Sequence, residues 1–118
     1  MLDNHTIVIY GWKIEGRDEV HKIGKKLEKI DEEYWNKFQN IMVDDTMCGI
    51  CGNYLYFGAI LVNYDAGEDP DPVVINSELI NEATSEYNKI IEENPELKKV
   101  LKKYTKTPAQ LFVFQHIW

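Results

Sequence analysis

The chain has 118 residues, 44% of them hydrophobic and 28% charged, which suits one soluble globular domain able to bury its own core. Its net charge of −7, with Arg17 as the sole arginine, argues against a general nucleic-acid binder, whose affinity rests on cationic contacts to phosphate. No apolar run approaches the roughly 18–20 residues of a membrane span, and two cysteines three positions apart cannot staple distant parts of a fold, so a cytoplasmic setting is expected.

The opening MLDNHTIVIYGW carries an acid before its apolar run and no cleavage-like small residues, so it reads as a strand and not as a signal peptide. The Asn4-His5-Thr6 sequon then carries no meaning. Residues 6–14 form the first strand candidate, apolar on both parities. Gly16 breaks the run, and Asp18 and Glu19 favour a helix start. From there Val20, Ile23, Leu27, Ile30, Tyr34, Phe38 and Ile41 recur at spacings of three and four, one apolar stripe on a long helix. Asp31 is a place where that helix could kink.

A short strand is expected at 41–47, with Asp44 and Asp45 protecting an open edge. CGICGN then turns the chain into the longest strand-like segment, Tyr54 to Tyr64, apolar or aromatic on both faces and therefore central in a sheet. DAGEDPDP reads as a solvated loop without calcium-ligand spacing. Asn76 or Ser77 can cap the next helix, whose stripe is Leu79, Ala83, Tyr87 and Ile90. Asn94-Pro95 restarts it, and Leu97, Val100, Leu101 and Tyr104 continue the apolar face. Residues 110–118 form a last strand. There are no internal repeats. The order β-α-β-β-α-β predicts an α+β, ferredoxin-like sandwich: a four-stranded antiparallel sheet with two helices on one face.

Two helices roof only one face, so the strand parities matter. One set is mostly aliphatic: Ile7 and Ile9; Leu55, Phe57, Ala59 and Leu61; Leu111, Val113 and Ile117. It suits the helix-covered core. The other is aromatic: Tyr10 and Trp12; Tyr54, Tyr56 and Tyr64; Phe112, Phe114 and Trp118. Tyrosine and tryptophan tolerate an outward position and are enriched at interface hot spots. The expected binding surface is Tyr10, Trp12, Tyr54, Tyr56, Phe112 and Phe114. A one-residue slip of register would exchange the two faces.

Several partners fit such a surface. A homodimer is the most economical, and capture of another protein uses the same chemistry. Small acidic single-domain chains of this kind occur among phage and mobile-element inhibitors of host factors, which colours the partner class. RNA-recognition modules share the element order and the aromatic open face, but their basic-aromatic octapeptide is absent. Its nearest counterpart, NYLYFGAI at 53–60, lacks the basic residue, so nucleic acid ranks below protein.

Cys48-Gly49-Ile50-Cys51-Gly52 resembles the C-x-x-C-G knuckle of rubredoxin-like and zinc-ribbon proteins. That resemblance implies a zinc site, yet two thiolates leave it incomplete, and His5, His21 and His116 have no ligand spacing. A redox pair wants a helix after the first cysteine, where a strand follows here. No cofactor is expected, and two small residues in a glycine-rich turn is the favoured reading. The chain lacks a glycine-rich phosphate loop and a nucleophile elbow, so binding ranks above catalysis. The basic runs, Lys22 to Lys29 and Lys98 to Lys106, read first as solvated helix faces. A ligand-sensing dimer, whose lysines read the charge of a small phosphorylated molecule or nucleotide, is the alternative.

Overall fold

The structure is a computed structural model and describes residues 4–30, 38, 40–44, 54–65 and 73–117. Its elements are β1 (Asn4–Glu15), α1 (Arg17–Ile30), β2 (Met42–Asp44), β3 (Tyr54–Asp65), α2 (Ser77–Glu93), α3 (Pro95–Leu101) and β4 (Gln110–Ile117). The architecture is α+β: a four-stranded antiparallel sheet in the order β2-β3-β1-β4, with three helices among the described residues.

Local chemistry sets the boundaries. Gly16, at φ +101°, turns β1 into α1, a conformation only glycine enters without strain, and its carbonyl accepts the first helical bond from Val20 N–H at 2.9 Å. The α1 stripe buries Val20, Ile23 and Leu27. The helix is described only as far as Ile30, and the expected kink near Asp31 lies outside the described residues. Phe38 and Ile41, the end of the predicted stripe, are buried. The cap of α2 is Asn76, whose side chain accepts from Leu79 N–H at 2.9 Å. Asn94 ends α2, with φ −130° and ψ 76°, and Pro95 opens α3, so the second helical stretch is two helices instead of one. Asn94 does not cap α3 with its side chain; its amide donates back to the Ile90 carbonyl at 2.7 Å.

The helices build one hydrophobic cluster with one face of the sheet. Val20, Ile23 and Leu27 of α1, Tyr87 and Ile91 of α2, and Leu97 and Leu101 of α3 meet Leu55, Phe57, Ala59 and Leu61 of β3. From β1 the partners are Val8 and Ile14, with Tyr10 and Trp12 packed against them. Burying that apolar area is the main stabilising term of the fold.

The aliphatic assignment therefore holds on β3 and is inverted on β1. Directly opposed residues share a face, and Tyr10 opposes Ala59 while Trp12 opposes Phe57. Ile7 and Ile9 point to the other side, where they are 1% and 0% exposed. A strand apolar on both parities gives no sign of which side the helices take, and here the broad rings fill the space beneath α2. A bulge resets the pattern once more. Ile9 pairs with Ile60 but Val8 pairs with Val62, so Leu61 is an extra residue and both Leu61 and Val62 join the helix-side cluster.

The sheet is strongly curled. Tyr56 lies opposite Lys13 and Phe114 opposite Ile7, six positions apart on β1. In a flat sheet that offset is about 20 Å. The two rings instead stack with centroids 4.1 Å apart and planes at 19°. The face away from the helices must therefore be concave. Two devices supply the bend. One is the bulge; the other is the Gly11–Gly58 pair, where a Cβ on Gly11 would lie 2.1 Å from the Phe57 carbonyl oxygen. Gly58 itself holds φ +142°.

Candidate functional site

The six residues expected to form one binding surface divide between two faces. Tyr54, Tyr56, Phe112 and Phe114 lie together on the concave face; Tyr10 and Trp12 lie on the helix-covered face.

On the concave face Tyr56 is the hub. Besides stacking on Phe114, it meets Phe112 edge-on at 5.5 Å and Tyr54 at 6.4 Å. Such offset and edge contacts are each worth about 0.5–1.5 kcal/mol beyond area burial. Lys13 closes the end of the row, its ammonium 5.0 Å from the Tyr54 ring centroid. Ile9 opposes Phe112 and Ile7 opposes Phe114, so the half-buried rings stand beside the two buried isoleucines on this face. The curl thus lets the sheet use its own aromatic side chains as part of the second cover. The surface is an aromatic cluster with an exposed rim, not a flat platform.

On the opposite face β4 departs from expectation in the other direction. Leu111 and Val113, assigned to the core from their parity, are 51% and 68% exposed. They oppose Tyr10 and Val8, on the helix side of the sheet, but the helices sit over β3 and β1 and leave the β4 margin bare. Among the described residues β4 pairs only with β1. Val73, Val74 and Ile75, leading into α2, are the other large exposed hydrophobic residues described.

Trp12 is held by three contacts. Its indole stacks on Phe57 at 5.4 Å, meets Tyr87 at 5.9 Å, and donates from Nε1 to the Thr107 carbonyl at 2.8 Å. Burial pushes the Tyr87 phenol up to about 12, so it stays neutral across the physiological range. The break at Asn94-Pro95 swings α3 away from the line of α2. A groove of about 510 Å³ opens between the two helices and Trp12. Ile91 and Leu101 line its apolar part; Lys98, Lys99 and Lys102 line its polar part. Lys98 is bridged to Glu92 at 3.2 Å, whereas Lys99 and Lys102 have no ion pair among the described residues. The sequence shows the lysines and Trp12 but not their meeting; the helix break beside a basic run is the signal it carries.

Past α3, Tyr104 and Lys103 tie the chain back to α1. The Tyr104 hydroxyl donates to Glu19 Oε1, and Lys103 Nζ lies 3.3 Å from the same oxygen. The Tyr104 hydrogen bond, then Lys103, holds the Glu19 carboxyl below its usual range. Burial, then the Glu19 carboxylate, pushes the Tyr104 phenol up. This clamp fixes the turn before β4.

The expected zinc knuckle, Cys48 and Cys51, lies outside the described residues, as do residues 66–72 of the acidic loop and Trp118. Among the described residues no group of three histidine, cysteine or acidic side chains could hold a metal ion, and no helix is long and apolar enough to cross a membrane. Compared with family models, with curated proteins and with solved structures, the chain matches none.

Proposed function

We propose that this protein is a small acidic binding module that docks a partner along β4, and that the partner is a second copy of the chain. The observation that carries the reading is the exposure of Leu111 and Val113 on a strand at the margin of the sheet. Natural edge strands are ordinarily blunted by lysine, proline or brevity. Residues 110–117 have eight positions, no proline and no formal charge, in a chain that is 28% charged.

An antiparallel pairing of β4 with its copy about a twofold axis is self-complementary. It sets Leu111 and Val113 beside their counterparts on the convex side and extends the Phe112–Phe114–Tyr56 cluster on the concave side. The uncharged strand also matters for two molecules that each carry −7, because it keeps like charges away from the seam. The strand order, read from the β4 margin as 4-1-3-2 with every pair antiparallel, supports the ferredoxin-like arrangement as the scaffold for this pairing.

The test is molar mass by light scattering across a concentration series, for the parent and for Val113→Lys. The substituted side chain points to solvent in a single chain, so the fold is retained. The parent is expected to approach twice the chain mass and the variant to remain a monomer. A parent monomeric at every concentration, or a variant as dimeric as the parent, refutes self-pairing through β4.

A further inference from the structure

The groove between α2, α3 and Trp12 lies apart from β4 and has its own chemistry. Its volume of about 510 Å³ falls in the range of small-molecule sites, on the order of 300–1,000 Å³. One part is apolar and held in place: Trp12 is fixed by Phe57, Tyr87 and the Thr107 carbonyl, and Ile91 stands beside it. The other part is basic, with three lysines against Glu92 alone among its charged groups.

A solvated helix face would turn its lysines away from apolar surface. Here Lys98, Lys99 and Lys102 are exposed but line the groove. Burying Leu97 and Leu101 fixes the helix about its axis, and Lys98, Lys99 and Lys102 are left along the flank that borders the groove. Glu92 pairs with Lys98, while Lys99 of α3 and Lys102 at its C-cap, still in right-handed helical conformation and three positions on, have no counter-ion among the described residues. A low-dielectric wall beside two uncompensated ammonium groups concentrates positive potential in a molecule that is otherwise strongly acidic.

We infer that this groove is a binding site for a small phosphate monoester carrying a ring-sized apolar body, the chemical class of a nucleoside monophosphate. The phosphate is held by Lys99 and Lys102. The ring lies against the exposed part of Trp12 and Ile91. Lysine suits this role as a point charge for phosphate without bidentate geometry. Occupancy also ties α2 to α3 across the Asn94 break, so a bound ligand stabilises the folded chain.

Isothermal titration calorimetry of the full chain with adenosine monophosphate and phenyl phosphate tests the site, with adenosine and phenol as the respective ring halves and inorganic phosphate as the shared other half. At least one phosphate-bearing ring compound is expected to bind with a dissociation constant of about 1 mM or tighter. Its half-ligands are expected to be weaker by roughly tenfold or more. Lys99→Gln/Lys102→Gln, folded by circular dichroism, is expected to lose a similar factor, and raised salt to weaken the parent but not the variant. Lys25→Gln/Lys26→Gln, on exposed positions of α1 outside the groove, is expected to bind like the parent. The inference is overturned if neither phosphate-bearing compound binds. It is equally overturned if the ring half of the compound that binds, adenosine or phenol, binds as well as its phosphate ester, or if the Lys99/Lys102 variant binds like the parent.

Discussion

Replacing Trp12 by alanine decides whether its ring belongs to the core or to a contact surface. The ring stacks on Phe57 and tilts against Tyr87, two aromatic contacts of about 0.5–1.5 kcal/mol each. Its Nε1 hydrogen bond to Thr107 adds about 1 kcal/mol. Truncating a buried tryptophan costs about 3–5 kcal/mol once lost transfer energy and the residual cavity are included. Because Trp12 is partly exposed and borders the groove, the lower end, about 3 kcal/mol, is the expectation. Trp12→Phe keeps a ring over Phe57 and gives up the indole N–H, leaving an exposed Thr107 carbonyl that water can satisfy. It is expected to cost about 1 kcal/mol.

Urea unfolding followed by far-ultraviolet circular dichroism measures both, with molar mass recorded on the same samples. The core placement requires a lower midpoint at similar slope and an unchanged association state for both substitutions. If Trp12→Ala stays within about 1 kcal/mol of the parent and the mass falls instead, the ring is a contact residue and the helix-side placement of β1 is wrong.

Two further perturbations probe the curl and the clamp. Gly58→Ala would place a Cβ 2.6 Å from both Gly11 Cα and the Tyr10 carbonyl oxygen at φ +142°, so a loss of about 2–5 kcal/mol is expected in urea unfolding; Gly16→Ala, strained at φ +101° but with nothing within 4 Å, is expected to lose about 1 kcal/mol, and equal losses would count against the close β1–β3 approach. The Glu19 carboxyl is depressed by Tyr104 and Lys103, so its contribution is present above its ordinary value of 4.5 and fades as pH falls through the depressed value; unfolding curves of the parent and Glu19→Gln should differ at neutral pH and converge in acid, and a difference independent of pH refutes the clamp.

Much of the fold was legible because its signals are local. Asn76 capping α2, Asn94-Pro95 restarting the helix, Gly16 ending β1 and the α1 stripe all act within a turn of the residues that carry them. The candidate site was less legible because its signals are relative. Whether Trp12 or Ile9 faces the helices depends on how β1 registers against β3, and a strand greasy on both parities leaves both answers open. The bulge at Leu61 adds a second parity change that no alternation pattern marks. The exposure of Leu111 and Val113 depends on how far the helix layer reaches across the sheet, a property of three helices together and not of β4. The groove required Trp12, near the start of the chain, to meet lysines more than eighty positions later.

The two faces of the sheet are sealed by different means, and that difference explains why β4 is left over. Three helices cover the convex side from β3 to β1. The concave side instead closes toward its own aromatic row, because the Gly11–Gly58 approach and the Leu61 bulge bring Tyr56 against Phe114 on the face that carries Ile9 and Ile7. Curling has a geometric consequence: bending the sheet toward its concave side carries β4 out from under a helix layer that stays with β3. Ile7 and Ile9 are buried on the concave side, while Leu111 and Val113 are exposed on the convex side at the β4 margin. A neighbour laid along β4 takes Leu111 and Val113 out of water, which is the physical reason to look for the partner at this margin.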